Sequence, residues 1–166
     1  ASDYWGLKPD DADMTDLSLA PGVAIDGFGK KADLSTLASG KYYYNGEIHL
    51  YASGQIPITK RLTIYVTGNT VIGNNTQGGY DNKVAYVTNW SNLAEIPLIK
   101  IITLGNIYVD DNTTQMDGMY VAIPNNAIPD TGEIHTCSNS GVALITTSFN
   151  QEQLATSCNN KLEVNG

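Results

Sequence analysis

The residues able to do chemistry are few. The tetrapeptide GEIH occurs at Gly46 to His49 and again at Gly132 to His135, and the two copies hold both histidines of the chain. A histidine beside a glutamate can transfer protons or ligate a metal. Neither copy has a cysteine or a second histidine at ligand spacing, so the pair reads better as one structural unit used twice. In a strand its isoleucine faces inward and Glu47 with His49, like Glu133 with His135, faces out.

Three carboxylates form the tightest acidic group outside the N-terminal stretch: Asp110 and Asp111 in VDDN, and Asp117. Such a corner is a candidate calcium site, although the alternating glycine and aspartate repeats of dedicated calcium-binding rolls are missing. The plainer reading is an Asx turn. A glycosidase needs two carboxylates across a cleft. The chain has five glutamates, none of which pairs with an aspartate in sequence. A polysaccharide lyase would need a basic residue, for which Arg61 and Lys60 are the candidates against the plainer reading of solvated strand charges. There is no G-x-S-x-G elbow, phosphate loop or Cys-His pair, and no catalytic residue is assigned.

The best candidate for ligand contact is the stretch 73–95, GNNTQGGYDNKVAYVTNWSNLAE, where Tyr80, Tyr86 and Trp90 stand among amides. Aromatic faces beside Asn and Asp suit sugar rings or partner proteins. Against this, Trp90 can simply pin the loop to the body, and the run Tyr42 to Tyr44 is expected to divide between core and surface.

Composition limits what holds these residues. At 166 residues with 42% hydrophobic and 16% charged residues, the chain makes one domain with a neutral, polar surface. A net charge of -8, with Arg61 the sole arginine, argues against nucleic acid as partner. No apolar run approaches the roughly 18 residues of a membrane span, and the chain opens as a trimmed product would. Cys137 and Cys158 are too few for a zinc site and leave a disulfide or two buried thiols. The surface, rich in Asn, Thr and Tyr, favours the disulfide and an extracellular location.

From residue 41 onward β-branched and aromatic residues alternate with polar ones, as in RLTIYVTGN and LIKIITLGNIYV, and predict strands. Residues 1–40 are aspartate-rich and read as an irregular arm or cap, in which LSLA and LSTLA are short apolar turns. The strongest signal is a recurrence: TGNTVIGNNT at 67–76 aligns with LGNIYVDDNT at 104–113, each with Gly-Asn at a corner. Recurrent strand-corner-strand units predict an all-β parallel β-helix, or β-solenoid, over 41–166 with a side insertion at about 73–95. A β-sandwich is the alternative. At the chain end Leu162 and Val164 alternate as a strand with nothing after them in this sequence to cover it, which predicts that the last strand is completed either by further sequence or by a neighbouring copy packing end to end.

The segment GNIYVDDNTTQMDGMYVAIP, then GEIHTC, Cys158 and NKLEVNG, resembles a group of largely uncharacterised bacterial cell-surface proteins with parallel β-helix repeats. Members carry an Ile-Tyr-Ile strand, a Leu-Asp-Gly-Ile-Tyr-Ile-Ala strand, a Thr-Cys pair and a closing Val-Asn-Gly. The likeness covers about residues 46 to 166 and departs at Met116 and Met119, where branched residues are usual. It implies an exported parallel β-helix and no particular chemistry. The expected function is a structural or adhesive surface protein presenting a rigid rod and loops to a glycan or protein partner; the alternative, resting on the acidic and basic candidates above, is a carbohydrate-active enzyme, a lyase or glycosidase.

Overall fold

The computed structural model describes residues 8–26, 29–73, 83–128, 131–139, 142–143, 158 and 161–166. In chain order the strands are β1 (Thr15–Asp16), β2 (Val23–Asp26), β3 (Gly29–Asp33), β4 (Gly40–Tyr44), β5 (Ile48–Tyr51), β6 (Arg61–Val66), β7 (Thr70–Ile72) and β8 (Lys83–Val84). They continue with β9 (Leu98–Leu104), β10 (Ile107–Asp110), β11 (Gln115–Asp117), β12 (Met119–Ile123), β13 (Ile134–Asn139), β14 (Val142–Ala143) and β15 (Glu163–Asn165). Sheet one has the order β1-β4-β6-β9-β12, sheet two β14-β13-β10-β7-β5-β3-β2, and sheet three β15-β11-β8.

The predicted strands are present, but the expected closed architecture is corrected. The described strands form three separate sheets, mostly parallel, none of which closes or coils. Sheet three is built of strands two or three residues long and shares no ladder with the other two. Recurring units align equivalent strands side by side; they do not by themselves join one sheet to the next. The β-sandwich fails as well, because only β2–β3 and β13–β14 pair antiparallel among the described ladders. Among the described residues the N-terminal stretch contributes strands as well as short turns: β1 pairs with β4, and β3 pairs with β5.

The parallel order follows from short crossings between sheets. At 45–47, 67–69 and 105–106 the chain leaves sheet one and enters sheet two. The two Gly-Asn corners are equivalent, since Thr70, Val71 and Ile72 after the first lie against Ile107, Tyr108 and Val109 after the second. Inward rows such as Tyr42, Ile64 and Ile101 are in register and buried. Leu17, Leu34 and Leu37, from the two apolar turns, complete this core. β9 is apolar on both faces: Ile99 and Ile101 enter the main core, while Ile102 joins a second cluster with Met14, Tyr65 and Ile123. Continuous apolar strands of that kind suit parallel sheets covered on both sides.

Polar groups brace the crossings. Buried Asp33 accepts hydrogen bonds from the amides and hydroxyls of Ser35 and Ser53. Burial pushes its pKa up, but these four donors outweigh burial and hold the carboxyl below the usual value. Lys60 Nζ donates to the carbonyls of Ser35 and Leu37, and the Arg61 guanidinium to those of Ala94 and Ile96. Cys137 and Cys158 form the expected disulfide, tying β13 to the chain just before β15.

At the β12, β13 and β15 end the core holds a hollow of about 320 Å³, lined by Met116, Met119, Tyr120, Ile134, Leu162 and Val164. Here the two GEIH copies differ. Ile48 is fully buried, whereas Ile134, in the same row of sheet two, is 45% exposed.

Two outcomes are expected. Cys158→Ser should lower the stability measured by urea unfolding by about 3 kcal/mol without loss of fold, the magnitude for closing a loop of this size. Because the folded pKa of Asp33 lies below the unfolded value of about 3.9, its carboxylate stabilises at neutral pH, and that contribution is lost as pH falls through the folded pKa. Unfolding curves taken from pH 6 down to pH 2, or about that range, should show an acid limb that Asp33→Asn flattens.

Candidate functional site

The corners between sheets one and two build the site. Their backbones touch: a Cβ on Gly68 would lie 2.6 Å from the Gly46 carbonyl carbon, and one on Gly105 would lie 2.9 Å from Gly68 O. Only glycine permits this spacing. The asparagine after each glycine then bonds to the next corner. Asn69 Oδ1 accepts from Asn106 N at 3.0 Å, and Asn106 Oδ1 accepts from Glu133 N at 3.0 Å. Backbone bonds Ile48 N to Asn69 O, Thr70 N to Asn106 O and Ile107 N to Glu133 O run beside them.

This ladder shapes a cleft of about 290 Å³ between the corners and the turn at 125–128. Tyr108 and Leu104 supply apolar area, Thr67, Asn69, Asn106 and Thr131 supply hydrogen-bonding groups, and Ile128 forms a wall. The turn is held by Thr131 Oγ1, which accepts from Asn125 N at 2.7 Å and donates to Ile128 O at 3.0 Å. Tyr108 is fixed from two sides. Its hydroxyl accepts from Asn106 Nδ2 at 3.2 Å, and its ring stacks on His135 with centroids 5.0 Å apart and planes 11° from parallel. His135 Nε2 in turn meets Glu133 Oε2 at 3.2 Å. An aromatic wall beside amides and hydroxyls, with no charged side chain lining the cleft among the described residues, suits a neutral polar ring.

The residues singled out from sequence are dispersed. His49 and His135 occupy one row of sheet two, with Val71 and Tyr108 between them. Three strand spacings separate them, about 14 Å, so they do not share a ligand. Glu47 and Glu133 precede them in the same rows at a similar distance, beyond the roughly 5 to 9.5 Å of glycosidase pairs. Asp110 is buried at the end of β10, next to Gly73 and Thr113. Asp111 N donates to Ser138 O. Asp117 is in sheet three, where its carboxylate accepts from Tyr86 N, Gln115 Nε2 and Asn165 Nδ2. Among the described residues no three of His, Cys, Asp and Glu gather as a metal-binding group. Lys60 and Arg61 are committed to backbone carbonyls.

Of the aromatic candidates, Tyr80 lies outside the described residues. Tyr86 packs on the core and its hydroxyl accepts from Ile99 N at 2.8 Å; burial raises its pKa. Trp90 is 39% exposed. Tyr42 is buried in the main core, Tyr44 is partly buried against it and Tyr43 is partly buried against the second cluster, so the tyrosine run divides between two apolar clusters, not between core and surface as expected. Tyr108 was missed because, within GNIYVDD, it reads as one outward strand residue; its value comes from His135, 27 positions later in sequence and adjacent in register. The recurring Gly-Asn corner was the available signal, since a side chain two residues beyond it must stand beside the corner.

No helix among the described residues is long and apolar enough to cross a membrane. Comparison with known protein families, curated proteins and solved structures finds no match to the chain.

Proposed function

We propose that this is an exported bacterial surface protein that binds a neutral glycan in the corner cleft, using its parallel sheets as a rigid support. The observation that carries the reading is the Tyr108 ring, held flat against His135 and flanked by the Asn69 and Asn106 corner. A sugar ring offers apolar C–H groups to such a face and hydroxyls to its amide and threonine neighbours. The net charge of -8 disfavours polyanionic ligands. A disulfide agrees with an oxidising compartment. The competing reading is a carbohydrate-active enzyme. The separation of Glu47 from Glu133 and the engagement of Lys60 and Arg61 with carbonyls weigh against it.

A second contact of the same protein is favoured by the hollow at the β12, β13 and β15 end, where Val164 is 59% exposed. Exposed apolar surface next to strand edges suits self-association.

On an array of neutral oligosaccharides the protein should retain a defined subset. Tyr108→Ala should weaken binding to it about tenfold, roughly 1.4 kcal/mol, with little change in Tm. Retention of binding by that variant, or release of new reducing ends during incubation with the bound glycan, defeats the assignment. For the second contact, light scattering should show mass rising with concentration for the native chain and a constant monomer mass for Val164→Lys; a native monomer at all concentrations disposes of it.

A further inference from the structure

Two Asn-Gly pairs occur in the chain, Asn45–Gly46 and Asn165–Gly166. In such a pair the glycine nitrogen can attack the preceding side-chain amide, because no Cβ obstructs its approach. We propose that Asn45–Gly46 is a self-modifying site, at which the fold itself drives conversion of Asn45 to aspartate or isoaspartate with loss of ammonia.

The geometry resides in one hydroxyl. Gly46 N donates to Thr67 Oγ1 at 3.0 Å, and Thr67 Oγ1 donates to Asn45 Oδ1 at 2.6 Å. A hydroxyl can accept and donate at once. Thr67 therefore touches both the nitrogen that must lose a proton and the carbonyl oxygen that must gain one, the two demands of general acid–base catalysis. Thr67 is itself fixed, since its amide donates to Tyr44 O at 3.0 Å beside the β4–β6 ladder. Asn45 is exposed, so water reaches it.

In the first step the Gly46 nitrogen bonds to Asn45 Cγ. The nitrogen's proton passes to Thr67 Oγ1 while the Thr67 proton passes to Oδ1, leaving a tetrahedral carbon that bears hydroxyl and amine. The carbon–amine bond then breaks, the amine takes the hydroxyl proton, and ammonia leaves a five-membered cyclic imide. Solvent water opens the imide at either carbonyl. One opening gives aspartate; the other gives isoaspartate, which lengthens the backbone at residue 45, next to the Gly46 that packs against Gly68.

The second pair is an internal control. Asn165 Nδ2 donates to Asp117 Oδ1 at 2.9 Å and to Glu163 Oε1 at 3.3 Å. Two carboxylates next to that amide oppose the negative charge that develops on its oxygen during attack.

The test is peptide mapping by mass spectrometry, with isoaspartate detection, on the intact protein aged at neutral pH with and without urea. In the folded protein Asn45 should convert at least tenfold faster than Asn165, and faster than Asn45 in the urea-unfolded chain. Thr67→Val should slow Asn45 about tenfold or more, while Thr67→Ser keeps the native rate. Conversion of Asn45 that is slower folded than unfolded, or unchanged by Thr67→Val, overturns the proposal. The comparison of folded with unfolded native chain requires no variant.

Discussion

The close approach of the corners is the constraint on which the rest of the structure depends. Gly46, Gly68 and Gly105 stack with spacing that leaves no room for a Cβ at the second and third. Strands of sheets one and two are thereby brought into register from the same end. Each corner exposes backbone groups that would be costly to leave without partners. The side-chain oxygens of Asn69 and Asn106 meet that demand by accepting from the next corner's amide. Glycine sets the distance and asparagine supplies the bond. Neither residue can be exchanged alone, because a larger residue at the glycine would push the asparagine's partner out of reach.

The same constraint generates both functional proposals. Corners this close leave a cleft beside them, and they hold Tyr108 and His135 in adjacent positions of sheet two, where the rings stack. One corner earlier, the approach brings the Thr67 hydroxyl between Gly46 N and Asn45 Oδ1. A looser corner would move these partners out of hydrogen-bonding and stacking reach and lose both arrangements. The proposed binding surface and the proposed reactive amide thus both trace to a packing solution found for the backbone.

Much of the fold was legible in the sequence because its signals are local. Alternation in RLTIYV predicts β6, the Gly-Asn recurrence predicts the equivalence of β7 and β10, and surface composition favours the Cys137–Cys158 bond. What failed was non-local. Recurrence shows that units pair side by side, not whether successive sheets join, and so a closed helix was expected where three separate sheets are found. Ile134 has the same sequence context as Ile48, yet the hollow beside it leaves it exposed. In the candidate site the aromatics that stood out were those in the amide-rich stretch. Tyr86 instead serves the core, since an indistinguishable tyrosine can turn its hydroxyl toward a buried amide such as that of Ile99.

The placement of cations bears on what the surface can recognise. Arg61, the sole arginine, and Lys60 are directed at backbone carbonyls of neighbouring segments. Lys30 and Lys31 lie over the rings of Tyr44 and Tyr51, each 5.8 Å from the ring centroid. Cations used in this way hold the chain together and give little positive potential to attract an anion. A neutral glycan, the ligand proposed above, carries no net charge to be steered at long range, so its recognition would have to arise at contact, from ring stacking and hydrogen bonds at fixed positions. Rigidity then matters more than charge, because a stacking ring that must first be ordered loses much of its gain to entropy. Tyr108, already ordered by His135 and Asn106, avoids that loss.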